Sequence, residues 1–321
     1  VDTFRSTTRF FASSSEAKTL EDDVIALKVR SLADQLKTLS LCIMKILKLL
    51  YPEWQGFGAD NRANEGAFTV HEAFSQGKKF VEIDVLQKEH LSVEGGILGR
   101  SSIAKNSKQA FDRLNVEQPD KIFMIGGTCG SEIVPVAYLN QHYHRDLAVL
   151  WFDAHGDLNT PESSPSGHFH GMVLRTLLGD GDQILSKFVP YPLSPSQVTL
   201  AGVRDLDMSE LEYASEEDIT IISPDGLTDS RPVIAAVERS GSSNLYIHVD
   251  LDFFNPGDFE GAQIPSSGGL TMEQFVPILS DLNSRYKAVG LSVVEFASIN
   301  PDMAAKIPAL FEKSGITCQF R

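Results

Sequence analysis

A chain of 321 residues, 42% of them hydrophobic, is long enough to bury a large core in one or two domains. Its formal net charge of −15 argues against binding to nucleic acid or to anionic membrane surfaces, and it is compatible with a cationic substrate. The sequence contains no run of about 18 apolar residues, so no transmembrane helix is predicted. The three cysteines, Cys42, Cys129 and Cys318, are widely spaced and odd in number, which favours a reducing compartment over a disulfide framework.

The first twenty residues differ in composition from the rest of the chain. Residues 4–15 are rich in Arg, Ser and Phe and contain no acidic residue, a composition typical of a mitochondrial transit peptide. A disordered tail fits the same composition, so a mitochondrial and a cytoplasmic location both stay open. We expect residues 1–20 to form such a tail or transit-peptide remnant, and residues 21–321 to form a single domain.

Hydrophobic periodicity predicts an alternation of strands and helices along the chain. Residues 20–40 have helical spacing, and the segment 41–50 fits either a helix or a strand. Strands are predicted at 80–85, 121–125, 147–152, 198–203, 219–222, 245–249 and 289–294. Helices are predicted to begin at 67, to span 104–114, 132–140, 171–179, 232–239 and 272–282, and to follow the last strand. The alternation predicts a parallel α/β sheet whose strands are joined by right-handed crossovers.

Two predicted strands run directly into residue types that bind metals. The run 147–152 is followed by Asp153, His155 and Asp157, and the run 245–249 is followed by Asp250 and Asp252. Residues two apart leave an extended chain on the same side, and ligands of open α/β folds bind at the carboxyl ends of strands. Carboxylates with one imidazole suit a divalent cation such as Mn²⁺, and four carboxylates suit a pair of ions with shared ligands. The alternative is that these aspartates cap loops and helices.

Further polar residues follow other predicted strands, in the segments 126–131 and 204–210 and at Glu295. All of them share one edge of the predicted sheet and can form one site with the aspartates. Cys129 lies in the first of these segments, although a free cysteine is commonly a small buried hydrophobic residue. His248 lies within the strand before Asp250, where we expect it to belong to the core or to support the site.

The motifs and their spacing resemble the ureohydrolases, and within them the arginases, over roughly residues 50 to 315. The matching segments are Gly126-Gly127, Asp153–Asp157, Ser166-Gly167 with His170-Gly171, Arg204–Asp207, Asp250–Asp252, Gly268–Thr271 and Glu295. The resemblance implies a three-layer α/β/α fold around a central parallel sheet, a dinuclear manganese site, and hydrolysis of a guanidino or amidino group. It also implies a homo-oligomer, commonly a trimer or a hexamer.

The resemblance also implies a set of metal ligands. One ion is expected to bind His155, Asp153, Asp250 and Asp252. The other is expected to bind Asp153, Asp157, Asp250 and a histidine after the Gly-Gly motif, but Cys129 stands in place of that histidine. Three interpretations follow: Cys129 ligates as a thiolate and favours a softer ion such as Zn²⁺, it does not ligate and leaves one weak metal position, or catalysis has been lost.

Residues for the substrate follow from the same resemblance. Asn159 and Ser166 match groups that hold the amino-acid end of arginine, whereas His168 stands where an asparagine is expected. Asp207 matches the residue that binds the α-amino group, directly or through water, and Asp205 is its neighbour.

Three residues are expected to carry the reaction, a hydrolysis that starts from a water shared by the two ions. Glu295 would pair with the guanidinium group, Asp157 would accept the proton of the shared water, and His170 would protonate the leaving amine. With arginine as the substrate, the products are ornithine and urea. The alternatives are hydrolysis of another guanidino compound and an arginase-like protein whose metal binding is impaired at Cys129.

Overall fold

A computed structural model of the protein describes residues 44–58, 60–75 and 79–321. The described helices and strands all lie in one compact unit, Lys45–Arg321. The predictions for residues 1–20 and for a helix at 20–40 fall outside the described residues. Within those residues, none of the helices combines the length and apolarity that crossing a lipid bilayer requires.

The described residues of this unit form ten strands. In chain order they are β1 (Ile46–Tyr51), β2 (Val81–Glu82), β3 (Val93–Glu94), β4 (Ile97–Leu98), β5 (Lys121–Gly126), β6 (Ala148–Phe152), β7 (Val198–Ala201), β8 (Thr220–Ile222), β9 (Asn244–Asp250) and β10 (Lys287–Val294). Eight of them form a parallel sheet in the order β2-β1-β5-β10-β9-β6-β7-β8, which confirms the predicted parallel sheet.

The order of the central strands brings distant parts of the sequence together. β10 lies between β5 and β9, and β9 also pairs with β6. Val294 lies opposite Asp250, and Phe152 lies opposite Val249. The residues that follow β5, β6, β9 and β10 therefore emerge side by side at one edge of the sheet.

Helices cover both faces of the sheet. They are α1 (Arg62–Ser75), α2 (Arg100–Glu117), α3 (Ile133–His142), α4 (Val173–Leu177), α5 (Met208–Glu216), α6 (Arg231–Ser240), α7 (Met272–Arg285) and α8 (Pro301–Ser314). Alternate strand residues point to opposite faces, so Trp151 packs into a core with α2, α3 and α4, and Phe152 packs into a second core with α1, α6, α7 and α8. The three-layer α/β/α fold is confirmed.

Several element boundaries differ from the predicted ones. The ambiguous segment 41–50 contributes the strand β1, because its residues pair with β5. Helix α1 begins at Arg62 rather than at 67, since the Asp60 carboxylate accepts the Arg62 backbone N–H and starts the helix earlier. The predicted strand 80–85 keeps only Val81 and Glu82 in the sheet. The predicted helix 171–179 is a short 3₁₀ turn, Phe169–Met172, followed by the five-residue α4.

Candidate metal centre and substrate cavity

Four adjacent strand ends bring the predicted metal-binding residues together. Asp153 follows β6, Asp250 ends β9, and Glu295 follows β10, while Cys129 begins a 3₁₀ turn after β5. All four are buried. The predicted convergence of the strand-end residues is therefore present in the structure.

The possible ligand atoms fall into overlapping groups in which all atoms lie within 4.8 Å of one another. One group contains Asp153, His155 and Asp252. A second contains Asp153 again, with Asp157, Cys129 and His248, and a third joins Cys129 to Asp250 and Glu295. Asp153 thus belongs to two of the three groups.

The chemistry of this cluster fits divalent cations. Oδ2 of Asp157 and Oε2 of Glu295 are buried and have no hydrogen-bond partner among the described residues. Buried polar atoms without partners are rare, and these two point into a cluster of like charges. Carboxylates this close together repel one another when all of them are ionised. A pair of divalent ions, which bind hard oxygen ligands, would neutralise that negative charge.

Electrostatic repulsion within the cluster is visible in the pKa values of its acids. Burial, and then the charge of Asp153, raise the pKa of Asp157 well above its usual value and that of Asp252 to about 6. Burial and the charge of Asp252 raise the pKa of Asp250. Burial opposes ionisation of Asp153 as well, but hydrogen bonds from His155 and His248 outweigh it and lower its pKa.

His155 is held between two of the aspartates. Its Nδ1 lies 2.9 Å from Oδ2 of Asp252 and 3.6 Å from Oδ1 of Asp153, and its Nε2 lies 3.8 Å from Asp205. Burial lowers the pKa of the imidazole, but the hydrogen bonds to Asp153 and Asp252 raise it to about 12. A cation at this position would therefore have to displace a proton, so metal binding would release protons.

Cys129 faces the cluster. Its thiol donates a hydrogen bond to Oδ2 of Asp250 at 3.0 Å, and its sulfur lies 3.7 Å from Nε2 of His248. Burial and the charges of Asp157 and Asp250 raise the pKa of the thiol. The cysteine is thus a protonated donor to a carboxylate here, and a bound cation would be needed to favour the thiolate.

His170 and Glu295 lie together at the mouth of the cluster. Nδ1 of His170 is 3.3 Å from Oε1 of Glu295, which also accepts the backbone N–H of Cys129 at 2.9 Å. The His170 ring packs edge-on against Phe57. The histidine is therefore fixed next to the carboxylate that is expected to hold the substrate.

Two of the acidic residues adopt a left-handed backbone conformation. Asp157 has a φ of 53° and Glu295 has a φ of 61°. This conformation costs a non-glycine residue about 1–3 kcal/mol, and strained residues of this kind cluster at functional sites. Backbone hydrogen bonds hold both residues, since Arg175 donates to the Asp157 carbonyl and Glu295 donates to the Gly127 carbonyl.

A cavity opens above the cluster, and most of the predicted substrate-binding residues line it. Its lining includes His155, Asp157, Asn159, Ser166, His170, Asp205, Asp207 and Glu210. Asn159 donates to Oδ2 of Asp207 at 2.9 Å, which connects two residues of the lining. In the part of the chain that the structure describes, His168 is not among the lining residues; its ring lies 6.0 Å from the His170 ring and packs edge-on against Phe57.

The sequence analysis assigns no binding or catalytic role to four residues near the site, His248, Glu53, Glu132 and Glu210. Glu132 accepts from the buried His248, Glu53 accepts from Thr128, and Glu210 accepts from the backbone N–H of Leu158. The sequence does contain a signal for His248. It lies two residues before Asp250, and residues two apart in a strand point to the same face, so the two side chains are expected on one side of β9. Glu210 belongs to the segment 204–210, which is expected at the same edge of the sheet, although no role is predicted for it. Glu53 and Glu132 lie in no motif, and only the fold brings them to the site.

Comparisons with known proteins agree with this fold. The profile of the Arginase family matches residues 62–309. The arginase of Staphylococcus aureus (strain MRSA252) is 29% identical over 242 residues, which are 70% of this chain and 79% of that protein. The arginase of Bacillus caldovelox is 34% identical over 185 residues, which are 56% of this chain and 60% of that protein.

Solved structures show the same likeness. The crystal structure of the Bacillus caldovelox arginase has a TM-score of 0.76 and 25% identity, covering 85% of this chain and 98% of that chain. The arginase of Entamoeba histolytica in complex with L-ornithine has a TM-score of 0.75 and 21% identity, covering 84% and 99%. Fold and site together define a hydrolase of the ureohydrolase type. Within that class, the chain belongs to the arginase family.

Proposed function

We propose that this protein hydrolyses L-arginine to L-ornithine and urea with a pair of divalent cations, Mn²⁺ being the first expectation. The observation that supports this most strongly is the buried convergence of Asp153, Asp157, Asp250 and Asp252 beneath a cavity lined by polar residues. Membership of the arginase family supports the same reaction class. Trimeric or hexameric assembly and the cellular compartment stay predictions from the sequence.

The residues that would hold the cations are those of the overlapping groups. Asp153, His155 and Asp252 would bind one ion, Asp153 with Asp157 and Cys129 would bind the other, and Asp250 lies beside Cys129 for a further ligand. When bound, the ions would activate a water molecule for attack on the guanidinium carbon and would stabilise negative charge that develops around that carbon.

The protein residues would position the substrate and move protons. Glu295 has one carboxylate oxygen without a partner, so it can accept from a guanidinium group that approaches the cluster. Asp157 likewise has a free oxygen and a raised pKa, so it can take a proton at Oδ2. His170 lies within 3.3 Å of Glu295 and can give a proton to the leaving amine.

The far end of the cavity suits a charged amino group. Asp207 lies at the start of α5, where its backbone N–H donates to Glu210 and its side chain accepts from Asn159. Asp205 is exposed nearby and approaches Nε2 of His155 at 3.8 Å. These carboxylates favour a substrate that carries a cation at both ends, as arginine does.

A second candidate function is hydrolysis of another guanidino compound. The observation that favours it is His168, which replaces an expected asparagine and does not line the cavity. Recognition of an α-carboxylate by that residue is then lost, and the acidic residues Asp205 and Asp207 remain.

The two candidates differ in the substrate that releases urea. We expect metal-loaded protein to release urea from arginine faster than from its decarboxylated amine or from 4-guanidinobutyrate, which lacks the α-amino group. Metal content per chain, measured on the same sample by mass spectrometry, is expected to be two. Turnover of another guanidino compound with none on arginine would establish the second candidate, and a metal-replete protein with no turnover on any of them would exclude both.

Asp207→Asn tests recognition of the amino group while keeping a residue that caps helices well. We expect KM for arginine to rise at least tenfold with a smaller change in kcat, because a charge-assisted contact is lost. KM for 4-guanidinobutyrate should not change, since that compound has no amino group to recognise. The exposed Asp84→Asn is the matched control and should leave both KM values unchanged.

A further inference from the structure

His248 lies in the strand β9, two residues before Asp250, with its side chain wholly buried on the metal-binding side of the sheet. Across the sheet its neighbour in the register is Trp151, and the two rings stack with centroids 3.5 Å apart and planes 14° apart. The imidazole plane is therefore fixed by packing.

The direction of the ring is fixed by a carboxylate. Nδ1 of His248 lies 2.8 Å from Oε1 of Glu132, and the hydroxyl of Tyr246 donates to the other oxygen of Glu132. Glu132 is itself wholly buried. A histidine that binds a metal almost always donates its other ring N–H to a carboxylate, a backbone carbonyl or water, which sets the tautomer and leaves the second nitrogen as the ligand.

The other ring nitrogen points into the cluster. Nε2 of His248 lies 3.7 Å from the sulfur of Cys129 and 3.7 Å from Oδ2 of Asp153. A tetrahedral ion with bonds of about 2.3 Å to sulfur and about 2.0 Å to nitrogen holds those two atoms roughly 3.5 Å apart. A carboxylate oxygen of the buried Asp157 belongs to the same group of ligand atoms, and Oδ2 of this residue has no hydrogen-bond partner among the described residues.

We propose that His248 supplies, from β9, the nitrogen ligand that is missing where Cys129 replaces a histidine. One ion is then held by Cys129, His248, Asp153 and Asp157, and Glu132 positions the histidine. This inference rests on the proposed function, because it assigns one half of the same metal pair. The sulfur and nitrogen donors make this half softer than a site of carboxylates and one imidazole, which favours Zn²⁺ or Co²⁺ over Mn²⁺ at that position.

The competing explanation is that His248 only links Glu132 to Asp153 within the core. Metal binding separates the two explanations, because a structural histidine contributes no ligand signal. The probe is Co²⁺ titrated into metal-free protein, with X-ray absorption at the cobalt edge reporting imidazole and sulfur ligands. Isothermal titration gives the number of ions and their affinities.

For the wild type we expect two Co²⁺ per chain, with scattering from two imidazoles and one sulfur. In His248→Asn one imidazole signal should disappear and the affinity of one ion should fall at least 100-fold, while the other ion stays bound. His142→Asn is the matched control, since His142 lies at the end of α3 and contacts Asp120. It should behave as the wild type.

Two further variants keep the test decisive if His248→Asn does not fold, as judged by circular dichroism. Glu132→Gln should weaken the sulfur-containing site by roughly 10- to 100-fold, the usual loss when a residue behind a metal-bound histidine is changed. Cys129→Ser should remove the sulfur signal and keep both imidazoles. Two ions bound with unchanged affinity and scattering in His248→Asn, or in Glu132→Gln if the first is unfolded, would overturn this inference alone. A wild type that binds no divalent ion would overturn the proposed function with it.

Discussion

Glu53 is a buried carboxyl group that supports the loop carrying Cys129. Its oxygens accept the backbone N–H of Gly56 at 2.7 Å and the hydroxyl of Thr128. Burial, together with the charge of Glu295, raises the pKa of Glu53 to about 7. The folded protein therefore keeps this group protonated at pH values where an unfolded chain would have released the proton.

The raised pKa makes Glu53 a source of pH-dependent stability. A carboxyl whose folded-state pKa is raised contributes stability that is present below its unfolded pKa, 4.5, and is lost as pH rises through about 7. Since one pKa unit corresponds to about 1.4 kcal/mol, ionisation costs up to about 3 kcal/mol at pH 8. Glu53→Gln should remove this cost, because its amide oxygen can accept from Gly56 while its amide N–H donates to the Thr128 hydroxyl, which reverses that hydrogen bond.

We expect metal-free Glu53→Gln to be more stable than the wild type at pH 8, and the difference to shrink towards pH 5. Urea denaturation in the presence of a chelator measures it. The exposed Glu212→Gln serves as the matched control and should track the wild type across this range. A difference that is constant with pH would show that Glu53 does not titrate between the two states.

At this scale the sequence predicts residues that belong to a local pattern. Asp153, His155 and Asp157 are spaced by two after an apolar run, and the structure brings them to one cluster, although their role as ligands stays a prediction. Glu53 and Glu132 have no such pattern, because a lone acid in a loop or turn looks the same in sequence whether it is buried or exposed. Only the packing around each carboxyl distinguishes them.

The contact between β9 and β10 shows how a strand sets the geometry of the site. Gly290 in β10 lies opposite Tyr246 in β9, beside an irregularity in the register between Ala288 and Gly290. A Cβ atom at Gly290 would lie 2.0 Å from Cδ2 of Tyr246. Tyr246 is wholly buried and donates to Glu132, so a shift of its ring would reach the carboxylate that contacts His248.

Gly290→Ala should therefore lower both stability and metal affinity. We expect the free energy of unfolding to fall by about 1–3 kcal/mol or more, the usual cost of overpacking a core. Urea denaturation and Co²⁺ titration measure the two effects. Gly171→Ala is the steric control for stability, since a Cβ there meets nothing within 4 Å. Equal stability of the two variants would contradict the steric argument.

The strands were easier to predict than their exact ends. Runs such as 147–152 and 245–249 are apolar because both faces of a parallel sheet are covered, and this pattern is visible in sequence. The hairpin of β3 and β4 was not predicted, although its turn, Gly95-Gly96, has positive φ at both positions and is a typical two-residue hairpin turn. Only Val81 and Glu82 of the predicted strand 80–85 pair in the sheet, because pairing partners, not apolar residues, decide where an edge strand ends.

At the scale of the molecule, most of the buried carboxyl groups among the described residues lie in one cluster. The raised pKa values of Asp157, Asp250 and Asp252, and the pKa of His155 of about 12, all mean that the folded protein binds extra protons. Stability from such groups is present at low pH and is lost as pH rises above their unfolded values. Divalent cations would replace those protons and remove the repulsion.

We expect metal-free protein to lose stability between pH 5 and pH 8, and added Mn²⁺ to restore it. The restoration should be larger at pH 8 than at pH 5, because fewer protons compete there. At a free ion concentration 100 times the dissociation constant, one site adds about 2.7 kcal/mol. Urea denaturation at each pH, with chelator or with Mn²⁺, gives both curves, and Asp252→Asn should flatten the metal-free one. Stabilisation independent of pH would contradict the link between protons and cations.

The central position of β10 has a consequence for biosynthesis. Because the last strand of the sequence occupies a place between β5 and β9, a chain still emerging from the ribosome has a gap in the middle of its sheet. Lys287–Val294 must be released before that gap closes and Glu295 arrives beside Asp250. A cluster that includes Glu295 therefore cannot assemble before synthesis has passed that residue, and a nascent chain that stops short of residue 287 exposes two open strand edges to aggregation.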